Sequence, residues 1–480
     1  MLKTSKRFLA IVTPRNERFA RLEERDLAVF ERFLGRENVK TEELELYNTD
    51  WSKWYKGKSQ CVLTPTSTEQ VSALMAHCSR RKLAVVPQSG NTGLVGGSIP
   101  IHDELILSMT KLNHHFEFNE SSGVLTCDAG FILEELDRKL TNYGYMMPFD
   151  LGAKGSCLIG GNITTCAGGI RLLRYGSLHA HLLGLTAVLP DDKGTVLDCG
   201  SQLRKDNTSL HLPHLFLGSE GQLGVVTRIS MTTVTRPKSV QSLMLGTDSF
   251  DNCRKILRLA RRELGEILSS FEFMDRYVME SLEENLSLTN VLKTSPNFNL
   301  LVETSGSNKE HDMAKVEAFL EKCLTEELAQ DGVVAGSAKE SFNMWQLRES
   351  APLATAKDGW VYKHDVSLPL EHFYTISEIV KEKCQGLVKR VITYGHLGDG
   401  NSHLNITSDG FSQELYDRLY PDLYEWVVNK GGSISAEHGI GQMKLAYSDY
   451  GKSQVERELV KKLKSLFDPN GILNPYKFVN

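Results

Sequence analysis

The stretch L-A-V-V-P-Q-S-G-N-T-G-L-V-G-G, residues 83–97, runs from a β-branched strand pattern straight into a cluster of glycines. A loop of this kind exposes successive backbone N–H groups and lets that backbone approach a pyrophosphate closely. Two more follow, G-S-C-L-I-G-G-N-I-T-T-C-A-G-G at 155–169 and G-S-E-G-Q-L-G at 218–224. Ser89, Thr92, Ser156, Thr164 and Thr165 supply hydroxyls that can bond phosphate oxygens. Neither a Walker A sequence nor G-x-G-x-x-G occurs, and no Lys is placed as in a P-loop. Three loops in one region therefore point to a dinucleotide carried without Mg²⁺.

The flanking sequence has mixed α and β character. C-V-L-T-P (61–65) reads as a strand, and T-E-Q-V-S-A-L-M-A-H-C (68–78) as a helix entered through a Ser/Thr cap with Glu69 in its first turn. V-V-T-R-I-S-M-T-T-V (225–234) reads as a further strand, and T-R-P-K (235–238) marks a domain boundary. The 480 residues suffice for two or three domains. A net charge of −5 without a long basic run gives no footprint for nucleic acid or an anionic membrane, and no apolar run reaches a spanning length. Nine Cys without C-x-x-C spacing favour a reducing compartment, with Cys157 and Cys166 as small packing residues. The acid-free start, M-L-K-T-S-K-R-F-L-A-I-V-T-P-R-N, has the composition of a mitochondrial transit peptide.

A second chemistry lies in G-H-L-G-D-G-N-S-H-L-N (395–405) and S-A-E-H-G-I-G (435–441). His396, His403 and Glu437 form a ligand set that leaves a metal position open to substrate, and it suits Zn²⁺, Mn²⁺ or Co²⁺. On a strand, His403 and Asn405 face one side, and the glycines after Glu437 and His438 allow a tight turn toward it. Asp399, between two glycines, reads as a turn residue. The same ligand set in a non-haem iron oxygenase would leave the three glycine loops unexplained.

The three loops in this order resemble the flavin domain of the vanillyl-alcohol-oxidase-like flavoproteins. The metal segments and D-P-N-G-I-L-N-P-Y-K (468–477) resemble the branch of that superfamily that oxidises D-2-hydroxy acids. R-L-L-R-Y-G-S-L-H (171–179), L-R-K-D-N-T (203–208), G-E-I-L-S-S-F-E-F-M-D (265–275) and L-V-E-T-S-G-S-N (301–308) are most similar to the D-2-hydroxyglutarate dehydrogenases. The resemblance implies FAD contacts at Pro87, Gln88, Ser89, Gly90, Asn91, Thr92 and Gly93. It implies others at Gly155, Ser156, Gly160, Gly161, Asn162, Thr165, Gly168 and Gly169, then Glu220, Gly221 and Gly224, and finally Asn474. With no His or Cys in 87–97, the flavin is expected to be noncovalent. The resemblance further implies Zn²⁺ on His396, His403 and Glu437, His438 as general base and substrate contact, Asn405 on substrate, and Arg348 and Lys363 on the two carboxylates.

The implied reaction is oxidation of D-2-hydroxyglutarate to 2-oxoglutarate: the metal acidifies the alcohol and the flavin accepts the hydride. D-lactate or another D-2-hydroxy acid is the alternative substrate. Electron transfer flavoprotein as acceptor, a mitochondrial matrix location and a possible homodimer complete the expectation. Four features depart from the family pattern: Pro352 in place of a Thr, Ser89 in place of a Gly, N-T-S-L-H-L (207–212) and Ala180.

The expected architecture is α+β: a two-subdomain FAD domain of the vanillyl-alcohol-oxidase type and a substrate domain built on an antiparallel sheet with helices on one face. Its divisions are an N-terminal extension (1–45), the FAD domain (46–235), the substrate and metal domain (236–445) and a C-terminal segment returning to the flavin (446–480). The site is expected between the domains.

Overall fold

The computed structural model describes residues 13–478. Most of the proposed transit peptide therefore lies outside the described residues. The folded part begins well before residue 46: helix Glu24–Leu34 buries Phe30 and Leu34 in the core that holds Leu63 and Val85. Strand Val39–Lys40 pairs antiparallel with Val62–Leu63. Leu105–Ser108 lies parallel to Val62–Leu63 and to Val85–Gln88, completing a four-stranded sheet. Helix Thr68–Arg81 starts where Ser67 accepts a hydrogen bond from the Gln70 N–H, and it buries Val71, Leu74 and Met75.

A second sheet is antiparallel throughout, in the order Phe116–Asn119, Val124–Asp128, Val225–Thr232, Leu182–Val188 and Val196–Cys199. Its apolar face shares one core with the first sheet, and Ile472 and Leu473 from the far end of the chain are buried there too. Leu473 bridges Val85 in parallel, with Val85 donating to the Ile472 carbonyl and Asn474 donating to that of Val85. The last segment thus extends the sheet from which the first glycine loop emerges.

The third layer is a seven-stranded antiparallel sheet. Its order is Asp331–Val334, Ser239–Thr247, Phe298–Gly306, Leu268–Asp275, Arg390–His396, Asn401–Ser408 and Trp360–Ser367. Helices cover both faces of its first half, not one face as the sequence suggested. Leu243, Phe271, Phe273 and Leu300 pack with helices Phe250–Glu263 and Lys309–Thr325, while Met244, Met274 and Leu301 pack with Arg276–Leu286 and Ala338–Lys357. These strands are apolar on both sides, so each side needs cover. Among the described residues no helix is long and apolar enough to cross a membrane.

Candidate active site

Strand register assembles the site on one face of the seven-stranded sheet. Glu272 pairs with His396, Tyr394 with His403, His403 with Asp365, and Asn405 with Lys363. Directly paired residues of an antiparallel sheet project to the same side, so these side chains share one surface. The alternating positions Tyr362, Val366, Leu404 and Ile406 turn away into a separate apolar core. A strand that is greasy on one side and charged on the other places its charges where the flavin domain covers them.

The ligand atoms of His396, His403 and Glu437 lie within 4.8 Å of one another. His396 Nδ1 faces Glu272 Oε1 at 2.8 Å, which leaves Nε2 toward Glu437 Oε1 at 3.2 Å. A carboxylate behind a histidine fixes the tautomer that a metal ligand needs, so this donor set fits a divalent cation. Burial opposes ionisation of Glu437, but the facing His396 overrides it and holds the carboxyl below its ordinary range. Burial likewise opposes protonation of His396, yet Glu272 and Glu437 push its pKa upward. Two carboxylates thus flank one imidazole.

Glu272 went unrecognised as a site residue in the sequence, although it stands in the F-E-F-M-D motif. Its Oε1 also accepts from Ser270 Oγ at 2.9 Å, and its Oε2 from Arg348 Nε at 2.8 Å. Arg348 is buried with its guanidinium 5.0 Å from the Tyr394 ring centre. The structure thus gives Arg348 a structural partner that the substrate-binding assignment omitted. Its Nε is committed to Glu272, and neither Nη group has a hydrogen-bond partner among the described residues. Pro352 sits one turn later inside helix Ala338–Lys357. Lacking an N–H, it leaves the Arg348 carbonyl without its helical donor.

Asp365 is the second residue that sequence reading passed over. Its Oδ1 accepts from Asn401 Nδ2 at 2.9 Å, and its Oδ2 accepts the backbone N–H of Glu437 at 3.0 Å and of His438 at 2.8 Å. Burial disfavours its charge, but His438, Lys444 and His403 hold the carboxyl far below its ordinary value. His438 Nδ1 lies 3.7 Å from Asp365, and its ring stacks on His403 at 5.7 Å between centres. Lys363 has no hydrogen bond or ion pair among the described residues; burial lowers its pKa, and its ammonium lies 5.8 Å from the centre of the exposed Trp51 ring.

The glycine loops line an open cavity. It is lined by Pro87, Ser89, Gly90, Asn91, Thr92 and Gly93, by Gly160, Gly161, Asn162 and Thr165, and by Glu220, Gly221, Gly224 and Asn474. His438 also lines it and stacks on His403, so the cavity and the His396, His403 and Glu437 cluster meet at that imidazole. Asn162 Oδ1 is buried without a partner, and a Cβ on Gly90 would stand 2.2 Å from the Ser156 carbonyl. An orphaned polar atom and loops pressed together behind an open cavity fit a polar dinucleotide.

Five expected flavin residues lie outside the lining. Gln88 is turned toward the Tyr47 and Ser98 carbonyls, and Gly155 and Ser156 are exposed to solvent. Gly168 lies beside Glu437, and Gly169, at φ +86°, makes a turn against the Asp150 carbonyl. Glu220 lines the cavity, but both its oxygens accept backbone N–H groups, from Ile440 at 2.7 Å and Gly441 at 2.8 Å. Asn474 donates to the Gly97 and Glu220 carbonyls, while Gln222 Nε2 grips the Asn474 and Lys477 carbonyls.

A sequence profile described as "FAD binding domain" matches residues 59–200, and one described as "FAD linked oxidases, C-terminal domain" matches residues 236–478. The chain belongs to the FAD-linked oxidase family. Within it, the chain is 47% identical over 467 residues to the probable mitochondrial D-2-hydroxyglutarate dehydrogenase of Oryza sativa subsp. japonica, covering 96% of this chain and 83% of that one. It is 47% identical over 471 residues to the mitochondrial D-2-hydroxyglutarate dehydrogenase of Arabidopsis thaliana, covering 98% and 84%. Substrate-bound p-cresol methylhydroxylase superposes with a TM-score of 0.72 over 94% of this chain and 96% of that one at 14% identity, which shows the shared fold. The α+β fold is that of the vanillyl-alcohol-oxidase-type flavoproteins.

Proposed function

We propose that this family member oxidises D-2-hydroxyglutarate to 2-oxoglutarate with noncovalent FAD and a divalent metal, Zn²⁺ by resemblance to the family. The observation that carries the reading is the position of His438, which lines the flavin cavity and stacks on the metal-cluster residue His403. When bound, FAD supplies the hydride acceptor and the metal supplies Lewis acidity at His396, His403 and Glu437. His438 takes the hydroxyl proton on an imidazole nitrogen, with Asp365 fixing the turn that carries it. Arg348 and Lys363 each bring a cation without a full set of partners to the face where two carboxylates must be neutralised, and Asn405 orients the substrate beside them. The 47% identity to relatives named for this substrate supports the diacid over D-lactate.

The proposed division is an N-terminal extension (1–45), a flavin domain (46–235), a substrate and metal domain (236–445) and a C-terminal segment on the flavin domain (446–480), with residues 24–40 of the extension packed into the flavin-domain core and sheet. The earliest residues of the first segment act as the address to the mitochondrial matrix, consistent with the relatives' mitochondrial names. Electron transfer flavoprotein takes the electrons, and the active unit is a homodimer. Dye-coupled turnover with D-2-hydroxyglutarate, L-2-hydroxyglutarate and D-lactate, with the 2-oxo product quantified, tests the assignment. A kcat/KM favouring the D-diacid supports it, and a higher value for D-lactate overturns the substrate.

A further inference from the structure

The turn bearing Glu437 and His438 is suspended between two carboxylates from different parts of the molecule, the buried Asp365 and the half-buried Glu220. On the substrate side Asp365 accepts the N–H groups of Glu437 and His438. On the flavin side Glu220 accepts those of Ile440 and Gly441. Four nearly consecutive backbone donors are thus claimed in two pairs. The buried Lys444 ammonium faces both acids and lies 3.9 Å from Asp365 Oδ2.

The same turn is seated on the first glycine loop. Gln442 N donates to the Val95 carbonyl, and Gln442 Nε2 donates to the carbonyls of Gly96 and Ile99. There is no slack in the seat: a Cβ on Gly439 would stand 2.6 Å from Glu220 Oε1, and one on Gly441 would stand 2.4 Å from the Val95 carbonyl. Gly439 and Gly441 have φ of +82° and +48°, a backbone that L side chains rarely adopt. Glu220 itself has φ +49° and lines the flavin cavity together with Gly221 and Gly224. One short loop therefore faces the dinucleotide on one side and holds the metal-ligand turn on the other.

We propose that Glu220 is a positioning residue that couples the two cofactors: order imposed on loop 218–224 by the flavin is passed through its carboxylate to Glu437, so flavin and metal strengthen each other's binding. This rests on the reading that the chain binds both. Coupling between sites is reciprocal, with typical magnitudes of about 5–150-fold. The amide of Glu220→Gln can accept only one of the two N–H groups and sets its own N–H₂ against the other, at unchanged volume.

The test uses purified, flavin-loaded full-length protein. Free FAD is followed by fluorescence during dilution, with and without prior chelation, and retained metal is measured against graded chelator. The wild type is expected to release FAD at about 10-fold lower dilution after chelation. In Glu220→Gln, metal retention falls by about 10-fold or more, and FAD release no longer responds to chelation. Glu220→Asp, which keeps the charge but shortens the reach, gives an intermediate response and replaces the amide variant if that fails to fold. FAD affinity in the wild type that is indifferent to chelation, or metal retention in both variants equal to wild type, overturns the coupling while leaving the function intact. A wild type that holds no metal overturns the metal assignment itself.

Discussion

Glu272→Gln is the perturbation whose consequence the geometry constrains most tightly. Three donors converge on this buried carboxylate: His396 Nδ1, Ser270 Oγ and Arg348 Nε. The amide keeps the volume but has a single acceptor oxygen. If that oxygen faces Arg348, the N–H₂ faces His396 and drives the proton from Nδ1 to Nε2, the nitrogen that faces Glu437. If the oxygen faces His396, the N–H₂ opposes Arg348 Nε, and in either case the buried guanidinium loses its counter-charge. Loss of a carboxylate behind a metal-binding histidine lowers affinity by about 10–100-fold, or about 1.4–2.7 kcal/mol. Breaking a buried ion pair destabilises by about 3–5 kcal/mol, and the retained hydrogen bond places this variant near the lower figure. The assay is metal retention of the flavin-loaded variant against a competing chelator, alongside its thermal unfolding. Retention and unfolding both equal to wild type would refute the assignment of Glu272 as the partner that orients His396.

Other expectations follow from single residues. Lys363→Met removes a charge-assisted hydrogen bond worth about 1.5–3 kcal/mol, so kcat/KM for D-2-hydroxyglutarate falls by about 10–150-fold while that for D-lactate falls much less; equal losses in steady-state kinetics contradict the two-carboxylate reading. Gly90→Ala places a methyl 2.2 Å from the Ser156 carbonyl, so the purified variant has a lower ratio of flavin to protein absorbance than wild type. Burial pushes the Asp275 carboxyl up to about 7 from its ordinary 3.8, against the opposing pull of Lys381, the Val278 and Thr393 N–H groups and Tyr374. Between those values the folded chain holds a proton that the unfolded chain has lost. Its contribution is therefore fully present below pH 3.8 and lost as pH rises through about 7. Asp275→Asn flattens this part of the stability profile, which chemical denaturation at a series of pH values reads directly.

The parts of the site that were legible in the sequence are those whose chemistry is local. Three glycine loops and two compact His/Glu segments reveal themselves because the residues that act together are close in the chain. Glu272 and Asp365 stayed hidden for the opposite reason: only pairing with His396 and His403 brings them to the candidate ligand cluster. The available signal was an acid inside an otherwise apolar strand, F-E-F, where a buried charge demands a partner. Glu220 was recognised as a site residue but its direction was not, since a loop's position in sequence does not show which side its carboxylate faces. Helices on one face of the large sheet were expected, but its earlier strands are apolar on both sides and are covered on both. The pairing of Val39–Lys40 with Val62–Leu63 was not legible, because two residues are too few to show a strand period.

The central claim is that a metal-assisted base and a flavin act on one D-2-hydroxy diacid in one cavity. It is tested most directly by mixing the purified protein anaerobically with D-2-hydroxyglutarate and following the oxidised-flavin absorbance before and after chelation. Rapid bleaching by the D-enantiomer is expected, with little by L-2-hydroxyglutarate or D-lactate, and bleaching is lost when the metal is removed. Bleaching that persists undiminished without metal, or a folded protein with no flavin band, would contradict it.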